Sequence, residues 1–280
     1  MLRYTSFETE DMPQFEPDAK IGLIATVNPE GLPHLTLITA LQAKTPTTMY
    51  WGQFTEGMSK KHVRKNPKTA FLIMTLNKEL WRGRALWTGE AKEGPDYEMF
   101  NKKPMFRYNA YFGIHTVHYM DLVETWGREK LPMGDIIMGA LLTGLFKGGA
   151  KKKGNTVLKP WAEGLFNRMD ALKFLSYVGG DGFPVIIPLI QCQAAGSGRL
   201  AFAPSAYRNE LAAVPVGSTV SVFGLTFDME DVLVRGVFNG YSRYRGVRLG
   251  TVDIDWVYNP MPPKQGQVYP AMELRPVTEF

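Results

Sequence analysis

Residues 23–41 read LIATVNPEGLPHLTLITAL, in which the turn NPEGLP separates two apolar runs. Short aliphatic and β-branched runs on both sides of such a turn predict a β-hairpin. The same pattern returns at residues 174–191 as FLSYVGGDGFPVIIPLIQ, with Gly182 lying 151 positions after Gly31. This recurrence predicts that the chain contains two copies of one β unit.

Three further blocks keep nearly the same spacing downstream. Residues 49–51 match 200–202, and residues 84–89 match 235–240, both at an offset of 151 positions. Residues 69–73 match 219–223 at an offset of 150 positions. Several strand-like blocks in register favour an internal duplication over two unrelated β segments with common turns. We therefore predict a mainly β chain with flanking helices, built from two tandem barrels or sandwiches of antiparallel strands. After the first copy, residues 97–108 are predicted to form a helix and residues 114–124 a closing strand.

The bulk composition narrows the class of protein. The 280-residue chain is 45% apolar and 21% charged, which predicts a globular protein. Its one cysteine, Cys192, cannot form an internal disulfide, and no signal peptide is visible, so we expect a cytoplasmic location. The longest apolar run, residues 136–146, is shorter than the roughly 20 residues of a membrane-spanning helix. The net charge of +5 allows an anionic ligand, and we expect no nucleic-acid partner and no membrane span.

Residues 128–170 separate the two β units and are predicted to form a helical linker. They contain the apolar stretch MGDIIMGALL at residues 133–142, followed by Lys151, Lys152 and Lys153. Two interpretations fit this pattern. The first is a helix packed against a barrel, followed by solvated lysines, and we favour it. The second is a helix that lies on a membrane surface beside a basic patch.

Residues 50–67, YWGQFTEGMSKKHVRKNP, contain the most informative polar cluster. A strand is expected to end near Gly52, and Ser59 is the expected N-cap of a short helix that stops before Pro67. Lys60 and Lys61 would then lie in the first turn, where the helix already has partial positive charge. Hydroxyl, free N–H groups and lysines at such a position are suited to binding a phosphate. An exposed basic helix without a ligand is the alternative.

The order of these segments resembles that of the pyridoxamine 5′-phosphate oxidase-like split β-barrels, which bind flavin mononucleotide (FMN). The segments concerned are NPEGLPH at 28–34, MYWG at 49–52, GMSKK at 57–61, NPKTA at 66–70 and WTGEA at 87–91. The resemblance extends over residues 20–124, and over 170–260 it covers only the strands. It implies an FMN-binding split barrel at 1–127, the linker at 128–170 and a second, degenerate split barrel at 171–280.

The resemblance also implies which residues contact the cofactor. Its phosphate would be held by Met58, Ser59, Lys60 and Lys61. The strand beside the flavin would contain Thr36, Leu37, Ile38 and Thr39, and Trp51, Gly52 and Gln53 would lie near the ribityl chain and ring. Arg84 would be a polar contact of the ring. Because the oxidase itself has an arginine where this chain has Thr36, oxidation of pyridoxamine phosphate is not implied.

The second copy departs further from the family pattern. The positions that correspond to Ser59, Lys60 and Lys61 are Glu210, Leu211 and Ala212, which cannot hold a phosphate dianion. Since split barrels of this family usually pair around FMN, we expect either a homodimer or a pseudo-dimer within one chain. The basic segment 241–245, YSRYR, could then contact the flavin, although a solvated loop accounts for it more simply.

These features predict an FMN-binding flavoprotein, an oxidoreductase that uses flavin for hydride or electron transfer. The alternatives are a flavin-binding or electron-carrier protein without catalytic activity, and a split barrel that uses deazaflavin or haem. The sequence assigns no catalytic acid or base. His115 and His118 would face opposite sides of a strand, so we expect no metal site there.

Overall fold

The computed structural model describes residues 2–16, 19–102, 113–152, 154, 156–261 and 266–271. Its regular structure is mainly antiparallel β-sheet, in one sheet of seven strands and one of eight. The predicted fold class is therefore confirmed. The described chain divides into two compact units, Met1–Leu131 with Val178–Ile186, and Pro132–Tyr177 with Ile187–Phe280.

The first sheet has the strand order β2-β1-β5-β6-β7-β4-β3. Its strands are β1 (Lys20–Val27), β2 (Pro33–Leu37), β3 (Gln42–Thr45), β4 (Thr48–Gln53), β5 (Lys68–Thr75), β6 (Glu79–Ala91) and β7 (Thr116–Lys130). The β1–β2 turn closes through a 2.9 Å hydrogen bond from the Asn28 amide to the Leu32 carbonyl. Gly31 adopts a φ of 77° in this turn, in the left-handed region that favours glycine.

The second sheet repeats this order. Its strands are β8 (Leu172–Val178), β9 (Pro184–Pro188), β10 (Gln193–Ala194), β11 (Arg199–Phe202), β12 (Thr219–Leu225), β13 (Asp231–Tyr244), β14 (Val247–Asn259) and β15 (Gly266–Tyr269). From one edge the order is β9-β8-β12-β13-β14-β11-β10, and β15 pairs with β14 outside this path. With β8 taken as the counterpart of β1, each strand has the same neighbours in both sheets.

The strand register refines the predicted repeat. Leu23 of β1 pairs with Leu72 of β5, and Phe174 of β8 pairs with Phe223 of β12. The offset is therefore 151 positions both from Leu23 to Phe174 and from Leu72 to Phe223. The offset of 150 positions predicted for β5 is wrong by one residue. The hairpin turns also agree, since Gly182 has a φ of 80°.

The described residues include five α-helices, which connect or flank the strands. They are α1 (Met58–Val63), α2 (Pro95–Lys102), α3 (Met133–Phe146), α4 (Pro160–Asn167) and α5 (Arg208–Ala212). A helix was predicted over residues 97–108, of which residues 103–108 lie outside the described part of the chain. The strand predicted at 114–124 is β7, which continues to Lys130.

Residues 128–170 begin within β7 and contain α3, a 3₁₀-helix at Lys147–Ala150 and α4. One face of α3, formed by Ile136, Gly139, Ala140 and Thr143, is buried against strands of the second sheet. A hydrogen bond of 2.9 Å from the Ala203 amide to the Thr143 hydroxyl joins α3 to the end of β11. Lys153 of the predicted basic run lies outside the described residues. Within the described ranges, no helix is long and apolar enough to cross a membrane.

Candidate functional site

The candidate site is built around α1, which is separated from the end of β4 by four residues. Its N-cap is Gly57 in an extended conformation, and the helix begins at Met58. The expectation that Ser59 is the N-cap is therefore wrong. Ser59 is the second helical residue, and its hydroxyl contacts the hydroxyl of Thr36 on β2 in a short hydrogen bond.

A second polar contact fixes the rotation of α1 about its axis. The hydroxyl of Thr26 on β1 lies 3.0 Å from Nδ1 of His62. Ser59 and His62 are one turn apart on the helix, so both contacts lie on the face that α1 turns toward β1 and β2. The next residue after Ser59, Lys60, is buried, whereas Lys61 is exposed.

Lys60 has an unusual environment for a lysine. It is 6% exposed, and its ammonium nitrogen lies 6.0 Å from the centre of the Trp51 ring. Among the described residues, Lys60 has no hydrogen-bond or ion-pair partner. Burial lowers the pKa of Lys60 to about 8, and the nearby charge of Glu56 offsets this shift only in part. A buried ammonium without a close anion is costly, and an anionic ligand would remove most of that cost.

The second sheet has an apolar residue at the equivalent place. Leu211 lies 151 positions after Lys60 and is 1% exposed, in the short helix α5. Ala212, the counterpart of Lys61, is exposed. At these two positions the burial is thus alike in α1 and α5, and the fold accepts a leucine where the first unit has Lys60. Packing alone therefore does not explain why the first unit has a lysine at this position.

Beside Lys60, a chain of hydrogen bonds connects β4 to β6 and β7. The Trp87 indole donates to Nδ1 of His118 over 3.2 Å, and Nε2 of His118 lies 2.7 Å from Oε1 of Gln53. The Gln53 amide in turn donates to the Glu56 carboxylate over 2.9 Å. The His118 ring also stacks on Trp51, with ring centroids 3.9 Å apart.

These partners define the protonation state of His118. Because an indole N–H can only donate, Nδ1 of His118 must accept, and the proton lies on Nε2. Burial, together with the positive charges of Arg64, Lys60 and His115, lowers the pKa of His118 to about 3. The neutral ring therefore orients the Gln53 amide. His115 has a different partner, the Thr116 hydroxyl at 2.7 Å.

The sequence did not identify Glu56, Trp87 or His118 as site residues. Trp51 and His118 face each other only because β4 and β7, more than sixty residues apart in the chain, pair in this register. The sequence signal that could have indicated His118 is the alternation of β7, which places Thr116, His118 and Met120 on one face of the strand.

Several predicted contacts have mainly structural environments. Gly52 accommodates Ile114, because a Cβ at that position would overlap the Ile114 Cδ1. Ile38 and Trp51 belong to the buried core of the first unit. Leu37, Thr39 and Met58 are half-buried near the ends of β2 and α1.

Arg84 is engaged in ion pairs within the first unit. Its guanidinium lies 2.6 Å from the Asp181 carboxylate and 3.3 Å from the Glu124 carboxylate. Phe183 lies against the same guanidinium, with its ring centre 5.6 Å away. The recorded contacts of Arg84 are therefore separate from those that join Thr36, Ser59, Lys60 and Gln53.

The residues around α1 fit the phosphate of a flavin nucleotide. Lys60 offers a buried positive charge without a described partner, and the paired hydroxyls of Ser59 and Thr36 retain one hydrogen that can be donated to a ligand. The indole N–H of the adjacent Trp51 is also buried without a described partner. Such a group of donors suits an anion with several oxygens.

Comparisons with known proteins identify similar solved structures. An FMN-binding protein from Syntrophomonas wolfei is 14% identical and aligns 43% of this chain with 83% of its own, with a TM-score of 0.37. HupZ from Group A Streptococcus is 16% identical over 43% of this chain and 93% of its own, with a TM-score of 0.36. A pyridoxamine 5′-phosphate oxidase-related, FMN-binding protein from Nostoc punctiforme is 12% identical over 40% and 75%, with a TM-score of 0.29.

Two of these three structures are of proteins described as FMN-binding. No protein-family model and no curated protein matches the chain. Each of the three similarities covers less than half of this chain, and identities of this size concern the fold alone. We therefore base the functional proposal on the side chains described above.

Proposed function

We propose that this chain is an FMN-binding flavoprotein that acts as an oxidoreductase. Lys60, Ser59 and Thr36 would hold the phosphate of FMN against the first barrel. The observation that supports this proposal is the environment of Lys60. It is a buried ammonium without a described anionic partner. At the equivalent position, helix α5 has the buried, uncharged Leu211.

The chemistry of this cluster suits a phosphate monoester better than a carboxylate. A phosphate dianion has three terminal oxygens, and the cluster offers donors from one ammonium and two hydroxyls. Charge-assisted hydrogen bonds of this kind contribute about 1.5–3 kcal/mol each. Lys61 is exposed and would contribute mainly through longer-range attraction, which is weaker because solvent screens it.

The hydrogen-bonded chain beside Lys60 would orient the rest of the cofactor. Gln53 ends β4, and its amide is held on one side by His118 and on the other by Glu56. A side chain fixed in this way can present its remaining amide hydrogen to a ribityl hydroxyl or a ring carbonyl without loss of rotamer entropy. When bound, FMN would supply hydride or single-electron transfer.

We further propose that the chain arose by internal duplication and binds one FMN. The division would be an FMN-binding barrel at 1–127, a linker at 128–170 and a degenerate barrel at 171–280. The equal strand order of the two sheets supports the duplication. Glu210 and Leu211 support the loss of the second site, because a carboxylate repels a phosphate and an isobutyl group donates no hydrogen bond.

An absorbance spectrum of the purified protein, followed by mass spectrometry of the released cofactor, tests this proposal. Bound FMN gives bands in the blue and the near ultraviolet, and the released molecule has the mass of FMN. A Soret band would indicate haem, and the mass of a deazaflavin would indicate that cofactor. Bound FMN that exchanges no electrons with any donor or acceptor would indicate a flavin-binding protein without catalytic activity.

A further inference from the structure

The outer face of α3 is apolar and exposed. Ile137, Met138, Leu141 and Leu145 are between 51% and 71% exposed. Their spacing places them on one side of the helix, opposite the buried residues Ile136 and Ala140. Large apolar side chains that cluster on a surface usually mark a binding site.

A basic hairpin adjoins this helix. The tip of the β13–β14 hairpin packs against α3, because Tyr244 and Val247 belong to the same apolar cluster as Leu142 and Phe146. The exposed arginines of the hairpin are Arg243, Arg245 and Arg248. Arg245 also reaches the turn that follows α3, since its Cγ lies 3.6 Å from the position of a Cβ on Gly149.

Acidic residues are nearly absent from the same two segments. Residues 241–248 contain none, and residues 133–152 contain only Asp135, in the first turn of α3. Arg243, Arg245 and Arg248 have no ion-pair partner among the described residues. This charge is therefore available to an external anionic surface.

We propose that this region binds the surface of an anionic lipid bilayer. The α3–hairpin surface consists of Ile137, Met138, Leu141 and Leu145 together with Arg243, Arg245 and Arg248. The helix would lie parallel to the bilayer over its length of about 21 Å, with the four apolar side chains below the headgroups. The arginines would contact lipid phosphates, as in other interfacial amphipathic helices.

The charge distribution favours lipid over other occupants. A second copy of this chain would bring the same arginines against one another, and like charges across an interface are unfavourable. A nucleic acid would pair with the arginines and leave the four apolar side chains in water. An anionic bilayer satisfies both halves of the surface at once.

Co-sedimentation of the 280-residue chain with vesicles tests this inference. We expect binding to equal mixtures of phosphatidylcholine and phosphatidylglycerol, and much weaker binding to phosphatidylcholine alone. The double variant Arg243→Gln/Arg245→Gln should lower the partition coefficient about 25-fold, since each arginine contributes about fivefold. Leu145→Gln should lower it about tenfold. Because Leu145 is 71% exposed, this variant should fold normally.

Matched variants elsewhere control for charge and hydrophobicity. Lys92→Gln/Lys130→Gln removes the same charge from exposed positions outside the α3–hairpin surface, and Phe227→Gln removes an aromatic side chain that is 64% exposed. Both should bind vesicles like the wild type.

Three outcomes would overturn the inference. These are equal binding to both vesicle types, equal losses in test and control variants, and a dimer in light scattering that Leu145→Gln dissociates in the absence of vesicle binding. The last would identify a second copy of the chain as the occupant.

Discussion

Replacing Lys60 by leucine tests the phosphate contact at a residue whose substitution the fold should accept. Leu211 is buried at the equivalent place of the second sheet, so Lys60→Leu should fill the same space without a charge. We expect the dissociation constant for FMN to rise about 10- to 150-fold, which corresponds to the roughly 1.5–3 kcal/mol of one charge-assisted hydrogen bond. The dissociation constant for riboflavin, which lacks the phosphate, should change about twofold or less.

Fluorescence titration of the apoprotein with each flavin measures both constants. Lys61→Leu is the matched control, because it removes the same charge from an exposed position on the next residue. Its effect on FMN should stay below about fivefold, as expected for a solvent-screened charge. Equal losses for FMN and riboflavin in Lys60→Leu would show that the substitution acts through the fold, and an unchanged FMN affinity would remove Lys60 from the phosphate site.

Three further predictions follow from the same cluster. Since the pKa of Lys60 is about 8 in the free protein, Lys60 loses its positive charge as the pH rises above 8. FMN affinity should therefore fall by up to tenfold per pH unit. Titration of Lys60→Leu with FMN should lack this pH dependence. Between pH 8 and 10.5 the unfolded chain retains the Lys60 proton that the folded chain has lost, so the free energy of unfolding of the apoprotein should rise with pH, by on the order of 3 kcal/mol. Denaturant unfolding measures this rise, and Lys60→Leu should lack it. Equal pH profiles for the two proteins would contradict the lowered pKa. His118→Phe should keep the stacking on Trp51 but leave the Trp87 indole and the Gln53 carbonyl unpaired. We expect the free energy of unfolding to fall by about 2–5 kcal/mol, which thermal unfolding measures. An unchanged melting temperature would contradict the hydrogen-bonded chain.

The strand pattern could be predicted because it depends on local sequence. The turns at Gly31 and Gly182 require a positive φ, and the flanking apolar runs leave little choice but a hairpin. The beginning of α1 was predicted two residues too late. Ser59 is a good N-cap by type, but its hydroxyl pairs with Thr36 on another strand, and that tertiary contact determines its position.

The difference between Lys60 and Lys61 could not be predicted from sequence. Both lie in the first turns of one helix, and only the packing of α1 against β1 and β2 decides which of them is buried. The contacts of Arg84 are likewise long-range, because Asp181 is nearly a hundred residues away. His118 was considered only as a metal ligand, since its partner Gln53 becomes a neighbour only through strand pairing.

The number of FMN molecules bound per chain tests the central claim most directly. Calorimetric titration of the apoprotein with FMN should give one site per chain in the wild type, and Lys60→Leu should weaken that single site. A stoichiometry of two would contradict the loss of the second site at Glu210 and Leu211. The absence of any FMN binding by the wild type would contradict the assignment of Lys60, Ser59 and Thr36 to a flavin phosphate.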